Sequence, residues 1–358
     1  MYNTISFYRY TTLVDPQELH NQLRSFCNQH NILGRVLIGD EGINGAVSGR
    51  IQDINLIKLF LQEKFSNLTF REQSADKNTY HKLVIKVRKE ICVFGEHPNL
   101  ENTGHHLTPQ ELQQLYEKNE DFIIVDARND YEYDVGHFKN AMKLPIQTFS
   151  EFPQEILKHE DWKEKKVVLY CTGGVRCEKA SAFMKENGFK DVNQLDGGII
   201  NYVNQFSHDK WKGGLFVFDD RLISDVGLPI SKCLHCNKDE LQMYNCHNLD
   251  CDKLHVSCKD CAEQFNNTCS KECMQAPRQR KQKITLQEIG TVLNYYNKNH
   301  IALITFDQKP QEGMTIQIQG KTTSFTQEIN TFMIDEQGLF TIPVKDRVRK
   351  NDLILVPQ

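Results

Sequence analysis

The first hundred residues alternate between strand-type and helix-type hydrophobic patterns. An aromatic and β-branched run from Ile5 to Leu13 predicts a strand, and Asp15 followed by Pro16 gives the start signal of a helix. Two short strands, a second amphipathic helix and a strand pair ending near Phe94 follow. The order β-α-β-β-α-β predicts a ferredoxin-like α+β domain over residues 1–100.

The second hundred residues show longer, uninterrupted apolar runs. Thr108 and Glu111 stand in the reciprocal positions of a helix capping box, and strand-sized apolar runs cover Phe122 to Val125 and Val167 to Tyr170. Continuous apolar strands separated by capped helices indicate a parallel sheet that is covered on both faces. This pattern predicts an α/β domain over residues 105–212, with ligands bound at the carboxyl ends of its strands.

The last 150 residues change character twice. A cysteine-rich metal-binding module is predicted over residues 213–276, because residues 233–273 are too polar and too rich in cysteine to fold around an apolar core, and a basic hinge follows. Residues 284–358 contain short β-branched runs that are broken by Gly313, Gly320 and Gly338. That spacing predicts a small all-β barrel.

Composition places the chain among ordinary soluble globular proteins. Its 358 residues are 39% hydrophobic and 25% charged, and the net charge of -4 advertises neither nucleic acid nor membrane binding. No apolar run approaches the ~20 residues that a membrane helix needs, and the N-terminus lacks the pattern of a secretory signal. We therefore expect no membrane association and a reducing, cytoplasmic location.

Eight of the twelve cysteines lie between residues 233 and 273. In a cytoplasmic chain, such crowding indicates metal binding rather than disulfides. Two C-x-x-C motifs and two wider pairs predict two four-thiolate sites of structural zinc, with an iron–sulfur cluster as the serious alternative. Three histidines are further possible ligands, but eight thiolates already complete two four-ligand sites without them. They are His235, His247 and His255. The four pairs are Cys233/Cys236, Cys246/Cys251, Cys258/Cys261 and Cys269/Cys273.

Cys171 follows a predicted strand directly and leads through two glycines into a predicted helix. Backbone N–H groups, the positive end of a helix dipole and the nearby Arg176 all favour a thiolate there. The plainer interpretation is a glycine-containing turn with a buried cysteine. Cys177 falls on the first helical turn, where it either resolves an oxidised Cys171 or simply packs.

The Cys171 loop and its surroundings resemble a rhodanese domain over about a hundred residues. The resemblance implies a persulfide on Cys171 and a supporting network, although structural ion pairs and caps are the better interpretation of that network. Four residues separate Cys171 from Arg176, as in sulfur-handling rhodaneses, whereas the similar cysteine phosphatases need five. The network positions are Asp126, Arg128, Glu132 and His137, and the motif Leu195-Asp196-Gly197-Gly198 completes the resemblance.

A wider resemblance covers about residues 1–275. The chain is similar to the rhodanese-like tRNA uridine hydroxylase family, which implies oxygen-dependent conversion of the wobble uridine of certain tRNAs to 5-hydroxyuridine. Molecular oxygen is then the co-substrate, tRNA the partner, and Cys171, Arg176 and Cys177 the expected catalytic residues. The similar segments are Gly34 to Ile38, Asp40 to Gly45, Lys86, Arg88, Glu90, Cys171 to Ser181 and Phe216 to Arg221.

A thiolate has a direct use in uridine chemistry. Addition of Cys171 to C6 makes C5 nucleophilic, and a persulfide or sulfenate on Cys171 is the competing role. The sequence contains no G-x-G-x-x-G motif and no convincing two-histidine, one-carboxylate iron site, so neither a redox cofactor nor an electron donor is identified. A sulfurtransferase that carries a Cys171 persulfide is the main alternative, and a non-catalytic RNA adaptor is the third.

The C-terminal segment resembles the small β-barrel of the second domain of elongation factor Tu, and a protein-interaction barrel is the alternative. The hinge before it carries four basic residues that either touch phosphates or are simply solvated. The resemblance lies in Ile289 to Val292, Gly313 to Ile316, Gly320 to Phe325 and Met333 to Asp335, and the basic residues are Arg278, Arg280, Lys281 and Lys283.

Overall fold

The computed structural model describes residues 1–224, 227–280, 286–307, 309–320 and 322–357. The chain forms two compact units, Met1–Gln279 and Arg280–Gln358. Among the residues described, no helix combines the length and the apolar character needed to cross a lipid bilayer.

The N-terminal layer of the first unit is a five-stranded sheet with two helices. The strand order is β4-β1-β3-β2-β5, with antiparallel neighbours except for the parallel pair of β2 and β5. The Asp15 carboxylate accepts a 2.8 Å hydrogen bond from the backbone N–H of Glu18, which confirms the predicted helix start. The elements are β1 (Tyr2–Tyr10), α1 (Pro16–Gln29), β2 (Leu33–Gly39), β3 (Gly42–Arg50), α2 (Ile51–Lys64), β4 (Arg71–Ala75) and β5 (Leu83–Val87).

The two faces of this sheet differ sharply. Along β1, Ile5 and Phe7 point into the apolar core that also holds Cys27, so Cys27 is a packing residue as its pattern predicts. Thr4, Ser6 and Tyr8 alternate with those apolar residues and therefore lie on the opposite face. That second face carries small and polar side chains and turns toward the rest of the first unit.

The predicted strand pair ending near Phe94 is wrong. β4 and β5 lie at opposite edges of the sheet, and β5 already ends at Val87. Phe94 is fully buried in the core of the next layer, where its ring lies 4.8 Å from that of Phe149. An apolar run does not distinguish a strand from an irregular segment that plugs a neighbouring core, which explains the error.

The second layer is the predicted α/β domain. Four parallel strands in the order β6-β10-β9-β7 are covered by apolar clusters on both faces, and the Thr108–Glu111 capping box is present. Short 3-10 turns occupy Leu100–Asn102, Phe149–Glu151 and Glu160–Trp162. The elements are β6 (His105–Leu107), α3 (Pro109–Glu117), β7 (Ile123–Asp126), α4 (Asp130–Val135), β8 (Gly136–Phe138), α5 (Phe152–Ile156), β9 (Lys166–Tyr170), α6 (Val175–Glu186), β10 (Asp191–Leu195), α7 (Gly198–Phe206) and β11 (Trp211–Gly213).

The cysteine-rich segment ends the first unit and has little regular structure. Its short hairpins and single-turn helices surround two clusters of cysteine side chains instead of an apolar core of ordinary size. The elements are β12 (Leu215–Phe216), β13 (Ile223–Ser224), β14 (Met243–Asn245), β15 (Leu254–Val256), α8 (Lys259–Gln264) and α9 (Lys271–Gln275).

The second unit is a curled antiparallel sheet of seven strands in the order β19-β18-β22-β16-β17-β21-β20. The long β16 pairs with both β17 and β22 and is irregular at 288–290 and 292–294, where the sheet bends around an isoleucine-rich core. The two outermost strands do not pair with each other within the described residues, so the sheet is curled but open. The strands are β16 (Leu286–Tyr296), β17 (Ile301–Phe306), β18 (Thr315–Gln319), β19 (Ser324–Glu328), β20 (Met333–Ile334), β21 (Phe340–Pro343) and β22 (Leu353–Pro357).

Candidate functional site

Cys171 stands at the carboxyl end of β9, in the loop that leads into α6. Its side chain is buried, and the backbone N–H of Gly174 donates a 3.1 Å hydrogen bond to its Sγ atom. Gly174 has a φ of 104°, and a Cβ atom there would lie 2.8 Å from the Tyr8 hydroxyl, so both conformation and space require glycine. The loop therefore curls around the sulfur as its glycines predict.

The surroundings of Cys171 favour its thiolate. Burial by itself raises the pKa of this thiol, but a hydrogen bond from Cys177, the positive charge of Arg176 and backbone N–H groups outweigh burial. The result is a pKa lowered from the ordinary 9.0 to about 6. Cys177 shows the opposite: burial and the neighbouring Cys171 thiolate raise its pKa, so it remains a neutral hydrogen-bond donor.

Arg176 is fixed by a carboxylate from another helix. Its two terminal nitrogens donate hydrogen bonds of 2.7 and 2.8 Å to the fully buried Glu132 of α4. Burial raises the pKa of Glu132, but the Arg176 charge outweighs burial and the net pKa is lowered. Both groups are thus charged, and Glu132 holds the guanidinium beside the thiolate.

The other positions of the predicted network lie apart from the cysteine loop. Asp126 and Arg128 form a separate buried ion pair with a shortest distance of 2.6 Å, and Arg128 also donates to the backbone oxygen of Gly136. The His137 ring stacks on Tyr133 with centroids 4.0 Å apart. Of the four network positions, only Glu132 is in contact with the loop, through Arg176 and Thr172.

A cavity of about 670 Å³ lies between the Cys171 loop and the polar face of the N-terminal sheet. The loop supplies Cys171, Thr172, Gly173 and Arg176, and the sheet supplies the opposite wall, including two further arginines. Cavities of this size accommodate ligands as large as a nucleotide. The sheet residues on this wall are Thr4, Ser6, Tyr8, Arg35, Leu37, Asn44, Gly45, Ala46, Arg71 and Gln73.

Sequence reasoning placed reactive chemistry on the loop but missed the opposite wall. The period-2 alternation of Thr4, Ser6 and Tyr8 with buried residues was the available signal, since it marks a strand face that does not join the helix-covered core. Cys92 and Phe218 also line the cavity. Neither was predicted there, because each follows a segment whose path the local pattern does not determine.

Helix α6 also carries the contacts that hold the two walls together. The fully buried Lys179 donates hydrogen bonds of 3.0 Å to Glu41, 2.7 Å to Glu90 and 3.0 Å to the backbone oxygen of Cys92. The Tyr10 hydroxyl donates to the backbone oxygen of Val175 at 3.2 Å. The helix that follows the reactive cysteine is therefore bound directly to the N-terminal layer.

The eight clustered cysteines form two groups of four. Within each group all the sulfur atoms lie within 4.8 Å of one another, and the Cys236–Cys258 and Cys251–Cys269 separations are both 3.7 Å. Tetrahedral zinc with bonds of about 2.3 Å separates its sulfur ligands by about 3.8 Å, so the geometry suits a metal ion. The groups interleave along the chain: Cys233, Cys236, Cys258 and Cys261 form the first, and Cys246, Cys251, Cys269 and Cys273 the second.

A histidine near these groups, His235, has other partners. The His235 ring stacks on Phe265 with centroids 4.0 Å apart, and its Nε2 lies 3.1 Å from the backbone oxygen of Thr268. Neither His235 nor His255 belongs to a four-cysteine group. In the basic hinge, Arg278 pairs with Asp250, whereas Lys281 and Lys283 lie outside the described residues.

Comparison with known proteins divides most of the chain into three matched segments. Residues 2–91 match a UPF0176 acylphosphatase-like domain, residues 108–205 a rhodanese-like domain, and residues 212–274 a rhodanese C-terminal domain. The rhodanese-like domain of an Anabaena sp. protein of known structure is 24% identical, with a TM-score of 0.26, and covers 30% of this chain and 78% of its own.

Full-length relatives extend the similarity across these segments. A tRNA uridine(34) hydroxylase of Chlamydia felis is 39% identical over 294 residues, which covers 78% of this chain and 89% of the relative. A protein of the same name from Protochlamydia amoebophila is 37% identical over 285 residues, or 77% of this chain and 89% of the relative.

Proposed function

The chain belongs to the family of tRNA uridine(34) hydroxylases, and from this we propose that it hydroxylates uridine 34 of tRNA to 5-hydroxyuridine, with molecular oxygen as co-substrate. The observation that carries the proposal is the position of Cys171. Its thiol lines a cavity that has arginines on the facing wall. The pKa of this thiol is lowered to about 6, although burial by itself raises it. A reactive anion opposite a basic wall suits a polyanionic, electrophilic substrate.

We propose that Cys171 is the nucleophile. Its Sγ forms a bond to C6 of uracil, and the electron pair of the C5–C6 double bond moves onto the O4 enolate, which makes C5 nucleophilic. C5 then receives one oxygen atom of O2, while the other leaves as water with two protons and two electrons from a two-electron donor. Loss of the C5 proton and cleavage of the C6–S bond restore the aromatic base and the thiolate.

Arg176 and Cys177 act through Cys171 in this scheme. Each favours the thiolate, Arg176 by its charge and Cys177 by a hydrogen bond, and Glu132 keeps Arg176 in place. Cys171 lines the cavity and Cys177 does not, which supports a role for Cys177 as a fixed donor rather than as a thiol that meets the substrate.

A sulfurtransferase that carries a persulfide on Cys171 is the second candidate. The rhodanese-like match and the four-residue spacing between Cys171 and Arg176 favour it. The two functions predict different changes in tRNA, since one introduces oxygen at C5 and the other delivers sulfur.

We also propose that each four-cysteine group holds one zinc ion. The 3.7 Å separations between sulfur atoms and the all-thiolate ligand sets support this assignment. Such ions have no redox chemistry and stabilise the fold of the segment that binds them. In this protein they replace the apolar core that the segment lacks.

The proposed domain organisation keeps the four segments 1–100, 105–212, 213–276 and 284–358. The β-α-β-β-α-β order of the first segment and its β4-β1-β3-β2 strand order support the ferredoxin-like assignment, with β5 as an additional edge strand. For the last segment, the curled sheet supports an incomplete barrel of the translation-factor type. A tRNA substrate supports the expected cytoplasmic location.

The test is mass spectrometry of tRNA nucleosides from cells that lack the gene and carry wild type, Cys171→Ala or Cys27→Ala. We expect 5-hydroxyuridine and its derivatives to return with wild type and Cys27→Ala but not with Cys171→Ala. Unchanged 5-hydroxyuridine with a fall in 2-thiouridine would instead establish the sulfurtransferase. An RNA containing 5-fluorouridine at position 34 should trap a covalent adduct on Cys171.

A further inference from the structure

A buried arginine in the cavity has no anionic partner among the residues that the structure describes. Arg71, the first residue of β4, is only 9% exposed and lines the cavity. Its guanidinium carbon lies 4.8 Å from the centre of the Tyr8 ring, which covers one face of the group. Its Nη1 atom is buried without a hydrogen-bond partner, and no carboxylate of the described residues lies within ion-pair distance.

Such an arrangement destabilises the folded protein unless a ligand supplies the hydrogen bonds and the counter-charge that the guanidinium lacks. A guanidinium that loses water needs replacement hydrogen bonds, and an unpaired buried charge is strongly destabilising. The flat Tyr8 ring stabilises the cation from one side but accepts no hydrogen bond along the guanidinium edge. An anion that enters the cavity supplies both the missing charge and the missing acceptors.

A second arginine lies in the same row of the sheet. In the register of the strands, Arg71 pairs with Ser6, Ser6 with Ala46 and Ala46 with Arg35. Three strand spacings of about 4.8 Å place the two arginine Cα atoms about 14 Å apart. Arg35 is exposed, and its side chain forms no ion pair or hydrogen bond within the described part of the chain.

Small side chains leave the space between the two arginines open. Ser6 and Ala46 form the floor of the row, and Gly173 of the cysteine loop stands over Ser6, since a Cβ at Gly173 would lie 4.0 Å from its Oγ. The open part of the floor is therefore over Ala46, next to the loop that carries Cys171. Cations on both sides of an open floor are typical of grooves that bind single-stranded nucleic acid.

We propose that Arg71 and Arg35 bind the two backbone phosphates that flank the target nucleotide, whose nucleoside lies over Ala46 and faces Cys171. The proposal rests on the proposed function, because it takes the substrate to be RNA with an unstacked nucleotide. It assigns Arg71 to a phosphate at the closed side of the cavity and Arg35 to one at its open side. Both residues bind and position the substrate and take no part in bond formation.

The test uses an anticodon stem-loop with uridine 34 and a single uncharged methylphosphonate either 5′ or 3′ of that nucleotide. Binding to wild type, Arg71→Gln and Arg35→Gln is measured by fluorescence anisotropy without oxygen, so that no turnover occurs. Arg9→Gln is the matched control, because Arg9 is an exposed arginine of β1 on the opposite face of the sheet from Ser6 and Tyr8. The alkylation rate of Cys171 in each variant reports whether the loop is intact.

For wild type and Arg9→Gln, we expect each methylphosphonate to weaken binding about tenfold. One of them removes the charge of the phosphate that Arg71 binds, and the other removes the charge of the phosphate that Arg35 binds. Arg71→Gln and Arg35→Gln should each be insensitive to the methylphosphonate that replaces the phosphate bound by the missing arginine. The slope of log binding constant against log salt concentration should fall in magnitude by about 0.7 for each variant. The assignment would be overturned if each methylphosphonate weakened binding to the arginine variants by the same factor as it weakens binding to wild type.

Equal affinity for stem-loops with uridine or cytidine at position 34 would count against the proposed function instead. No stem-loop binding at all would overturn both.

Discussion

The Tyr8 hydroxyl donates a 2.8 Å hydrogen bond to the carboxylate of Glu178, 170 residues further along the chain. Tyr8 lies on the cavity face of the N-terminal sheet, and Glu178 lies on the first turn of α6, directly after the Cys171 loop. His106 and Gln194 also bind this carboxylate, at 3.1 and 3.0 Å. Glu178 therefore connects the wall that faces the substrate with the helix that orients the reactive thiol.

Removal of the Tyr8 hydroxyl should loosen this connection. We expect Tyr8→Phe to lower the free energy of unfolding by about 1.5–3 kcal/mol, since a partly buried hydrogen bond to a charged group is lost. Urea unfolding followed by circular dichroism measures the change. Tyr2→Phe is the control, because the Tyr2 hydroxyl makes no hydrogen bond with the described residues, and equal effects of the two changes would contradict the prediction.

The reactivity of Cys171 should follow a low pKa. The rate of alkylation by iodoacetamide should rise with pH around a midpoint of about 6, because only the thiolate attacks. Cys177→Ala removes a hydrogen bond that favours the thiolate, so the midpoint should move upward. Cys27→Ala, in a separate core, should leave it unchanged. An unshifted midpoint in Cys177→Ala would show that Cys177 only packs.

The buried pair of Glu132 and Arg176 should tolerate loss of one partner poorly. Glu132→Gln leaves the guanidinium without its counter-charge, and the expected loss of stability is about 3–5 kcal/mol. Chemical unfolding of Glu132→Gln measures that loss. The double variant Glu132→Gln/Arg176→Met removes both charges and should be less destabilised than Glu132→Gln alone. A double variant that is as unstable as the sum of the single changes would contradict the coupling.

The metal content should respond separately in the two cysteine groups. Wild type is expected to bind two zinc ions, and Cys233→Ser or Cys246→Ser should each remove one, because each breaks a different ligand set. Mass spectrometry under native conditions and elemental analysis count the ions. Cys27→Ala should retain two zinc ions. Iron and acid-labile sulfide in the purified protein would assign iron–sulfur clusters instead.

Local chemistry in the sequence was sufficient to predict one half of the site. The loop around Cys171, the nearby Arg176 and the eight thiolates all depend on neighbours close in the chain or on simple spacing rules. The Thr108–Glu111 capping box was predictable for the same reason. The loop and the capping box are each determined by a few consecutive residues, whereas each four-cysteine group joins two pairs from distant parts of the segment.

The other half depends on how distant segments pack. Arg71 and Arg35 are unremarkable in the sequence, because arginine is usually an exposed surface residue. Pairing of β1 with β4 places Arg71 against Tyr8, and the packing of the sheet on the Cys171 loop and α6 makes Arg71 and Arg35 part of a cavity wall. The path of the segment at Phe94 was mispredicted for the same reason, since its apolar side chains serve a core that belongs to another layer.

The two walls of the cavity come from separate stretches of the gene. Tyr8 contacts the turn and the helix behind it, but substitutions elsewhere on the N-terminal sheet, such as at Arg35, alter what the cavity admits without changing the backbone turn that activates the sulfur. Away from Tyr8, substrate choice is therefore free to change during evolution while the chemical reactivity is kept. A descendant enzyme with the same thiolate and a different target nucleotide needs new residues on only one of the two walls.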